Sequence, residues 1–260
     1  MSENMKKPAA VVADQKLLCG SLSFAGSEAY KRLRANLLLS FPDEKKCRVI
    51  GVTSANRGEG KSITAINLAY TFAETGKKTL LIEADMRLPN LAARLELVES
   101  PGLSNLLVNL SKREAVVQVT GVQDMLHVIT AGDIPPNPSE LLGSEHMKAC
   151  LQEFGKTYDY IVLDLPPVNV VSDALETARM VDGFVFVVRQ EYSTRQSVIQ
   201  AISQMEMVDA KVLGFVMNHS TSRGKRGLGR YYRKYGYYRY YSRYGKRKKL
   251  QMPAADVDDD

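Results

Sequence analysis

Apolar residues in this chain fall into two patterns that alternate along its length. Short continuous runs rich in Val, Ile, Leu and Phe predict buried strands at 48–54, 78–85, 125–132, 159–166, 183–189 and 211–218. Stretches with apolar residues at helical spacing predict helices at 27–41, 61–75, 138–156, 173–181 and 194–208. Continuous apolar strands separated by helices predict a doubly wound, mostly parallel α/β sheet that is covered by helices on both faces.

A glycine-rich loop follows the first predicted strand. Within SANRGEGKS (54–62), Gly60, Lys61 and Ser62 match the end of the phosphate-loop pattern GxxxxGK(S/T), while Ala55 occupies the place of the first glycine. Such a loop directs backbone amides and a helix N-terminus at phosphate. Lys61 is predicted to reach the β- and γ-phosphates, and the Ser62 hydroxyl to ligate Mg²⁺. The predicted nucleotide-binding residues of the loop are Arg57, Gly58, Glu59, Gly60, Lys61, Ser62 and Ile63.

Acidic residues end two other predicted strands. Glu83, Asp85 and Arg87 stand at alternate positions, so we expect them on one side of the strand end. Asp164 follows three branched apolar residues, the usual place of a carboxylate that serves Mg²⁺ in a phosphate-loop protein. Ligands of such sheets bind beyond the carboxyl ends of the strands. The sequence therefore predicts a metal set of Ser62, Asp85 and Asp164.

Charge divides the chain into a near-neutral body and a basic tail. The net charge is +6, but residues 221–250 contain 12 Lys and Arg and no acid, and residues 251–260 contain four Asp and no base. Residues 1–220 therefore carry a net charge of only −2. Blocks of like charge are typical of disordered segments. We predict a flexible leader at 1–20, a phosphate-loop domain at 21–220, and a disordered tail with an acidic end at 221–260.

The basic tail also contains most of the aromatic hydroxyls. Eight of the 13 tyrosines lie within residues 229–249, which we call the tyrosine cluster. Interleaved basic and aromatic residues can bind single-stranded nucleic acid, accept phosphate, or have no function, and composition alone leaves the three open. The eight residues are Tyr231, Tyr232, Tyr235, Tyr237, Tyr238, Tyr240, Tyr241 and Tyr244.

Several classes of protein are disfavoured by composition. The three cysteines (Cys19, Cys47 and Cys150) form neither a CxxC pair nor a Cys/His cluster, so we expect reduced thiols and no cysteine-bound metal. The N-terminus lacks the apolar stretch of a signal peptide. No run approaches 18 apolar residues, so we expect no membrane-spanning helix.

The phosphate loop, the ExDxR motif of Glu83, Asp85 and Arg87, and the DLPP motif at Asp164 together resemble the bacterial tyrosine kinase family. These are autokinases of capsule and exopolysaccharide export, built on a phosphate-loop fold of the ParA/MinD branch. The segment at 132–144 and the tyrosine cluster extend the resemblance over about residues 25–245. The chain is similar to the stand-alone cytoplasmic form, whose membrane-spanning activator is a separate protein.

The resemblance implies a protein-tyrosine kinase that uses ATP and Mg²⁺. It implies catalytic roles for Lys61, Asp85 and Asp164, with Glu83 or Asp85 as the base that takes the tyrosine proton. Asn218 corresponds to the position where relatives contact adenine. The tyrosine cluster corresponds to the phosphoacceptors, which we expect a neighbouring subunit to phosphorylate.

The resemblance also implies partners. It predicts a homo-oligomer that assembles through Glu28, Lys31 and Arg34, an activator of the polysaccharide co-polymerase type that acts through its cytosolic tail, and a protein-tyrosine phosphatase. No nucleic acid is expected as a partner. The predicted location is cytoplasmic, with recruitment to the inner face of the cell membrane by the activator.

Three positions depart from the family pattern, and two other functions stay open. Glu83 replaces the usual aspartate, Arg57 stands where proline is common, and Lys31 replaces an arginine. Glu83 keeps open a degenerate kinase that binds nucleotide and acts as a scaffold. A ParA/MinD-like ATPase switch that binds DNA or membrane is disfavoured because Asn56 occupies the place of the switch's signature lysine.

Overall fold

Seven strands form one central sheet in the computed structural model, which describes residues 19–41 and 45–220. Their order across the sheet is β3-β4-β2-β5-β1-β6-β7, and every neighbouring pair is parallel except the antiparallel pair of β3 and β4. The strands are β1 (Arg48–Ser54), β2 (Thr79–Glu83), β3 (Gln118–Val119), β4 (Leu126–Ile129), β5 (Tyr160–Asp164), β6 (Gly183–Arg189) and β7 (Val212–Asn218). The predicted doubly wound, mostly parallel fold is confirmed.

Helices cover both faces of the sheet. They are α1 (Phe24–Leu39), α2 (Lys61–Ala73), α3 (Leu91–Leu95), α4 (Leu103–Leu107), α5 (Arg113–Val116), α6 (Pro138–Leu142), α7 (Glu145–Phe154), α8 (Asp173–Glu176) and α9 (Arg195–Met207). One buried cluster joins β2 and β5 to α7 and α9, and the other joins β1 and β5 to α1 and α2. Alternate side chains of β5 explain both clusters, because Leu163 belongs to the first and Val162 to the second.

The strand register places the carboxyl ends of β2 and β5 side by side. Glu83 pairs directly with Asp164, and Val52 of β1 pairs with Asp164 from the other side. All five residues of β2 are buried, because helices pack on both of its faces. The sheet therefore brings two acidic strand ends and the loop after β1 to one edge.

The structure corrects several predicted boundaries. The predicted helix at 138–156 is two helices, because Ser144 accepts a hydrogen bond from the Met147 backbone amide (3.1 Å) and starts α7 afresh. The predicted helix at 173–181 ends at Glu176. The short elements α3, α4, α5 and β3 have no predicted counterpart, since fewer than six residues give little periodicity.

Two predicted segments lie largely outside the described residues. The leader predicted at 1–20 is described only from Cys19, where a 3₁₀ turn spans Cys19–Ser21. The predicted tail at 221–260, with all eight residues of the tyrosine cluster, also lies outside them. In the part of the chain that the structure describes, no helix has the length and apolar character needed to cross a membrane.

Candidate functional site

The loop between β1 and α2 has the backbone shape of a phosphate-binding loop. Gly58 and Gly60 adopt left-handed conformations, with φ of 76° and 98°. The left-handed φ of Gly60 favours glycine, and a Cβ there would lie 1.8 Å from the Asn218 Nδ2, so any side chain would also displace the end of Asn218. No side chain caps α2, so the loop leaves the first amides of a 13-residue helix available for an anion.

Glu59 braces this loop from within. Its side chain is fully buried, and its carboxylate accepts hydrogen bonds from the Asn56 backbone amide (2.8 Å) and the Ser193 hydroxyl (2.5 Å). The Asn218 Nδ2 donates to the Glu59 carbonyl (3.0 Å). Glu59 was predicted only as a backbone contact to nucleotide, whereas the structure gives its side chain a supporting role as well.

The segment after β6 holds the outer side of the loop. The Arg189 guanidinium donates to the Gly58 carbonyl (2.9 Å), and the Tyr192 hydroxyl donates to the Arg57 carbonyl (3.1 Å). Sequence reasoning assigned neither residue to the loop, because each contact spans more than 130 positions. The rule that ligand sites lie at the carboxyl ends of parallel strands could have drawn attention to them, since β6 ends at Arg189.

Asp164 lies fully buried at the end of β5, near the start of α2. Neither of its carboxylate oxygens has a hydrogen-bond partner among the residues that the structure describes. Burial raises its pKa to about 7, against the charge of Lys61 and the hydroxyl of Ser62, which both favour the ionised form. A fully buried carboxylate that receives no backbone amide, and that has only a nearby hydroxyl and a lysine charge to favour its ionised form, is costly unless a cation binds it.

The surroundings of Asp164 fit a magnesium ion. The Ser62 hydroxyl accepts a hydrogen bond from the Asn90 side chain (3.2 Å), which leaves its second lone pair for a metal. Among the described residues, no three His, Cys, Asp or Glu side chains are arranged to enclose a metal. Magnesium at nucleotide sites uses one or two protein oxygens together with water and phosphate, so the donor set at Ser62 and Asp164 suits it.

Glu83 occupies the matching position on β2 and has the opposite environment. One carboxylate oxygen accepts from the backbone amides of Asn90 and Leu91, the latter at 2.7 Å, and the other accepts from the Ala131 amide (3.1 Å). Burial raises the pKa of Glu83, and these three amides oppose the rise. Its oxygens are thus already bonded within the protein. The catalytic role predicted for Glu83 stays a prediction, and this geometry favours a supporting role.

Asp85 and Arg87 follow β2 and have separate partners. Asp85 is 8% exposed and accepts from the Leu88 amide (3.2 Å), and burial raises its pKa while the Lys61 charge lowers it. Arg87 forms a bidentate ion pair with the buried carboxylate of Asp173, at 3.0 and 3.1 Å. Strand alternation does not place these three residues, because β2 ends at Glu83, but the Asp85 charge still acts on both Glu83 and Arg87.

The residues predicted for oligomerisation lie on α1. The Lys31 ammonium pairs with Glu28 at 3.4 Å, where both side chains are about two-fifths exposed. The Arg34 guanidinium donates to the Thr71 carbonyl near the end of α2. Part of Arg34 is therefore used within the chain, whereas Glu28 and Lys31 remain accessible.

Comparisons with known proteins agree with this geometry. Residues 47–214 match the family model described as an AAA domain. The tyrosine-protein kinase YwqD of Bacillus subtilis is 38% identical over 192 residues, which cover 74% of this chain and 80% of YwqD. The crystal structure of the chimerical protein CapA2B2 is 32% identical with a TM-score of 0.74, covering 83% of this chain and 92% of that one.

A more distant structure shares the fold alone. The septum site-determining protein MinD of Pyrococcus horikoshii, solved with Mg-ADP, is 20% identical with a TM-score of 0.57 and covers 69% of this chain and 73% of its own. The likeness agrees with the phosphate-loop architecture, because the nucleotide edge is the common element of such folds. At this identity it gives no information about the reaction.

Proposed function

The chain belongs to the family of bacterial tyrosine-protein kinases, and on that basis we propose that it transfers the γ-phosphoryl group of ATP to tyrosines of its own tyrosine cluster. The observation that carries the proposal is the orphaned carboxylate of Asp164 beside Lys61 and Ser62. It supports a divalent cation and a polyphosphate at this edge of the sheet.

The phosphates of ATP are assigned to the loop. The amides of residues 58–62 and the Lys61 ammonium would hold them, because the loop and the uncapped start of α2 direct donors to the same edge. Lys61 is buried, with 8% of its surface exposed, so its charge acts through a medium less polar than bulk water. Catalysis by this edge would consist of positioning and charge stabilisation.

Magnesium is assigned to Ser62 and Asp164, and Asp85, whose charge acts on Asp164, is assigned a role through water. When bound, the ion neutralises charge on the phosphate oxygens during transfer. The protein's own contribution is the fixed position of its donors. Asp164 is held by its strand, and the Asn90 side chain orients the Ser62 hydroxyl (3.2 Å).

Proton transfer is assigned to Asp85. Its carboxylate is less buried than that of Glu83 and has one backbone donor, whereas the oxygens of Glu83 receive three. Burial raises the pKa of Asp85, which makes it a better proton acceptor than a solvated aspartate. In this assignment Glu83 anchors the start of α3 through the Asn90 and Leu91 amides.

The tyrosine cluster is assigned as the acceptor on the strength of its composition and the family. The active site of a neighbouring subunit would transfer the phosphate to these tyrosines. The two subunits would belong to a homo-oligomer that assembles through Glu28, Lys31 and Arg34 of α1. Each phosphate adds close to two negative charges. Several would neutralise the 12 basic residues of 221–250, so phosphorylation would act as an electrostatic switch.

The cellular role follows from the family resemblance. We assign the protein to the control of capsular or exopolysaccharide synthesis and export, at the inner face of the cell membrane. Its partners would be a membrane-spanning activator that acts through a cytosolic tail and a phosphatase that resets the tyrosines.

Incubation of purified protein with labelled ATP and Mg²⁺ tests the proposal, with phosphotyrosines mapped by mass spectrometry. Lys61→Met should lose roughly 100-fold or more of the incorporation while it keeps the native circular dichroism. A protein with all eight cluster tyrosines changed to Phe should lose most incorporation and still phosphorylate a Lys61→Met partner. Incorporation at the native level by a folded Lys61→Met protein would remove the phosphate loop from the reaction.

A further inference from the structure

Tyr192 differs from the other tyrosines that the structure describes. Its side chain is 52% exposed, while the remaining four are buried or half-buried. Tyr158 is 6% exposed, and the ring of Tyr160 is stacked on Phe72 with centroids 4.0 Å apart. The other two are Tyr30 and Tyr70. Tyr192 is therefore the most exposed of the five tyrosines that the structure describes.

The accessible phenol is bonded to the nucleotide loop. Its hydroxyl donates to the Arg57 carbonyl at 3.1 Å, and it lies 3.4 Å from the place where a Cβ would stand on Gly58. The Arg189 guanidinium lies over the Tyr192 ring, 4.9 Å from its centroid, and donates to the Gly58 carbonyl at 2.9 Å. Tyr192 and Arg189 therefore form a two-point clasp on consecutive carbonyls of the loop, which we call the loop clasp.

We propose that Tyr192 is a second phosphorylation site of this kinase, and that phosphate on it opens the loop clasp and weakens ATP binding. The inference rests on the proposed kinase function. In the reaction, the Tyr192 oxygen bonds to the γ-phosphorus of ATP held by another copy of the chain. The bond from that phosphorus to the β–γ bridging oxygen breaks, ADP leaves with the electron pair, and the phenolic proton passes to a carboxylate of the other copy.

Phosphorylation of Tyr192 would remove the interactions that form the loop clasp. A phosphotyrosine oxygen has no proton to donate, and its charge repels the Arg57 carbonyl that the hydroxyl now contacts. Arg189 is the cation already stacked on the ring, so its guanidinium would turn to the phosphate and leave the Gly58 carbonyl. Both points of the clasp are lost in one event.

The affected loop is the one assigned to the phosphates of ATP. Gly58 has the left-handed φ of 76° on which the loop's shape depends. The brace at Glu59 does not involve Tyr192, because its partners are Asn56, Ser193 and Asn218. We therefore expect phosphorylation to loosen the first half of the loop and leave the fold and α2 intact. The expected consequence is a higher KM for ATP, with a smaller change in kcat.

The acceptor is tested with a kinase-dead substrate. A full-length Lys61→Met protein with its eight cluster tyrosines changed to Phe is incubated with the wild-type enzyme, ATP and Mg²⁺. Phosphate should appear on Tyr192 and be absent from Tyr158 and Tyr160, which are matched controls in the same molecule. No phosphate on Tyr192 while the wild-type cluster becomes phosphorylated would overturn the inference without touching the proposed function. No phosphotyrosine on either protein would overturn both.

The consequence is tested with phosphotyrosine placed at position 192 by genetic code expansion, in the full chain with its cluster changed to Phe. A peptide of residues 229–244 is the substrate. Tyr192→Phe, which removes only the hydroxyl, should raise the KM for ATP by about 2- to 5-fold, and phosphotyrosine at 192 by roughly 10-fold or more. Equal KM values for the phosphorylated and Phe proteins would overturn the switch, because loss of the hydroxyl alone would then explain the change.

Discussion

Two neighbouring strand ends carry buried carboxylates with opposite environments. Glu83 ends β2 and Asp164 ends β5, and the two residues are direct partners in the parallel ladder. Both are fully buried. Glu83 receives three backbone amides, whereas neither oxygen of Asp164 has a hydrogen-bond partner among the residues described. The same chemical group, one strand apart, is satisfied by the fold in one case and left for a ligand in the other.

This difference in hydrogen bonding gives Glu83 and Asp164 different roles, although the sequence motifs placed both in the reaction. A buried carboxylate with backbone donors stabilises the structure that supplies them, and its removal leaves those donors unsatisfied. A buried carboxylate without backbone donors destabilises the free protein, and the binding of a cation offsets that destabilisation. Glu83 is thus expected to matter mainly for stability, and Asp164 mainly for the reaction.

The largest expected effect is a loss of kinase rate in the Asp164→Asn variant. Replacing the carboxylate with an amide of the same size should lower phosphotyrosine formation by roughly 100- to 1000-fold, because a neutral group cannot hold the cation. The measurement is the initial rate at saturating ATP and Mg²⁺. Stability in denaturant at pH 8 should be equal to or higher than that of the wild type, because a buried unpaired charge has been removed. A rate within fivefold of the wild type would contradict the metal role.

Glu83→Gln should have the complementary effect. The amide nitrogen would face backbone donors, so we expect the free energy of unfolding to fall by about 2–4 kcal/mol. Glu83→Asp keeps both acceptor oxygens and is the matched control, with a loss less than half as large. Urea titrations provide the measurement. The folded fraction of Glu83→Gln should keep activity within about tenfold if Asp85 is the base, and a much larger loss would restore that role to Glu83.

The pH dependence of stability gives a third comparison. The folded pKa of Asp164 is raised from 3.8 to about 7, so as pH rises the unfolded chain loses this proton first. Without nucleotide, the contribution of Asp164 therefore lowers the free energy of unfolding as pH climbs from about 4 to 7, then levels off. The difference between wild type and Asp164→Asn should change by roughly 4 kcal/mol over that range. Parallel pH curves for the two proteins would contradict the raised pKa.

The smallest effect is expected at Asn90, which links the two strand ends. Its backbone amide donates to Glu83, and its side chain donates to the Ser62 hydroxyl at 3.2 Å. Asn90→Ala keeps the first contact and removes the second, together with the hydrogen bond that the Asn90 side-chain oxygen accepts from the Arg94 guanidinium (2.5 Å). The concentration of Mg²⁺ for half-maximal rate should rise by about 2- to 5-fold, with little change in stability. A stability loss as large as that of Glu83→Gln would show that the side chain supports the fold instead.

Much of the fold could be predicted because its signals are local. β1 and β6 have the predicted bounds, and the loop with Lys61 and Ser62 follows β1 as expected. The two helices of 138–154 were predicted as one, because the N-cap at Ser144 is a weaker sequence signal than the helical spacing of the apolar residues around it. Of the predicted metal set of Ser62, Asp85 and Asp164, Ser62 lies in the first turn of α2 and Asp164 ends β5 at the same edge of the sheet, since parallel strands end together.

The loop clasp and the Glu83 anchor could not be predicted in this way. Tyr192 contacts Arg57 across 135 positions, and Glu83 contacts the Ala131 amide across 48. Nothing in the periodicity of either segment encodes such a distant partner. The same holds for the ion-pair partner of Arg87, which is Asp173, 86 positions away.

The sequence by itself determined the layered sheet, the phosphate loop and the acidic strand ends, because strand and helix periods and glycine spacing act over a few residues. The tertiary structure alone decided which carboxylate is satisfied. That outcome depends on whether the chain returns with backbone donors, as it does at α3 and after β4 for Glu83 and does not for Asp164. A residue's type sets what it can bind, and the packing around it sets whether that capacity is already used.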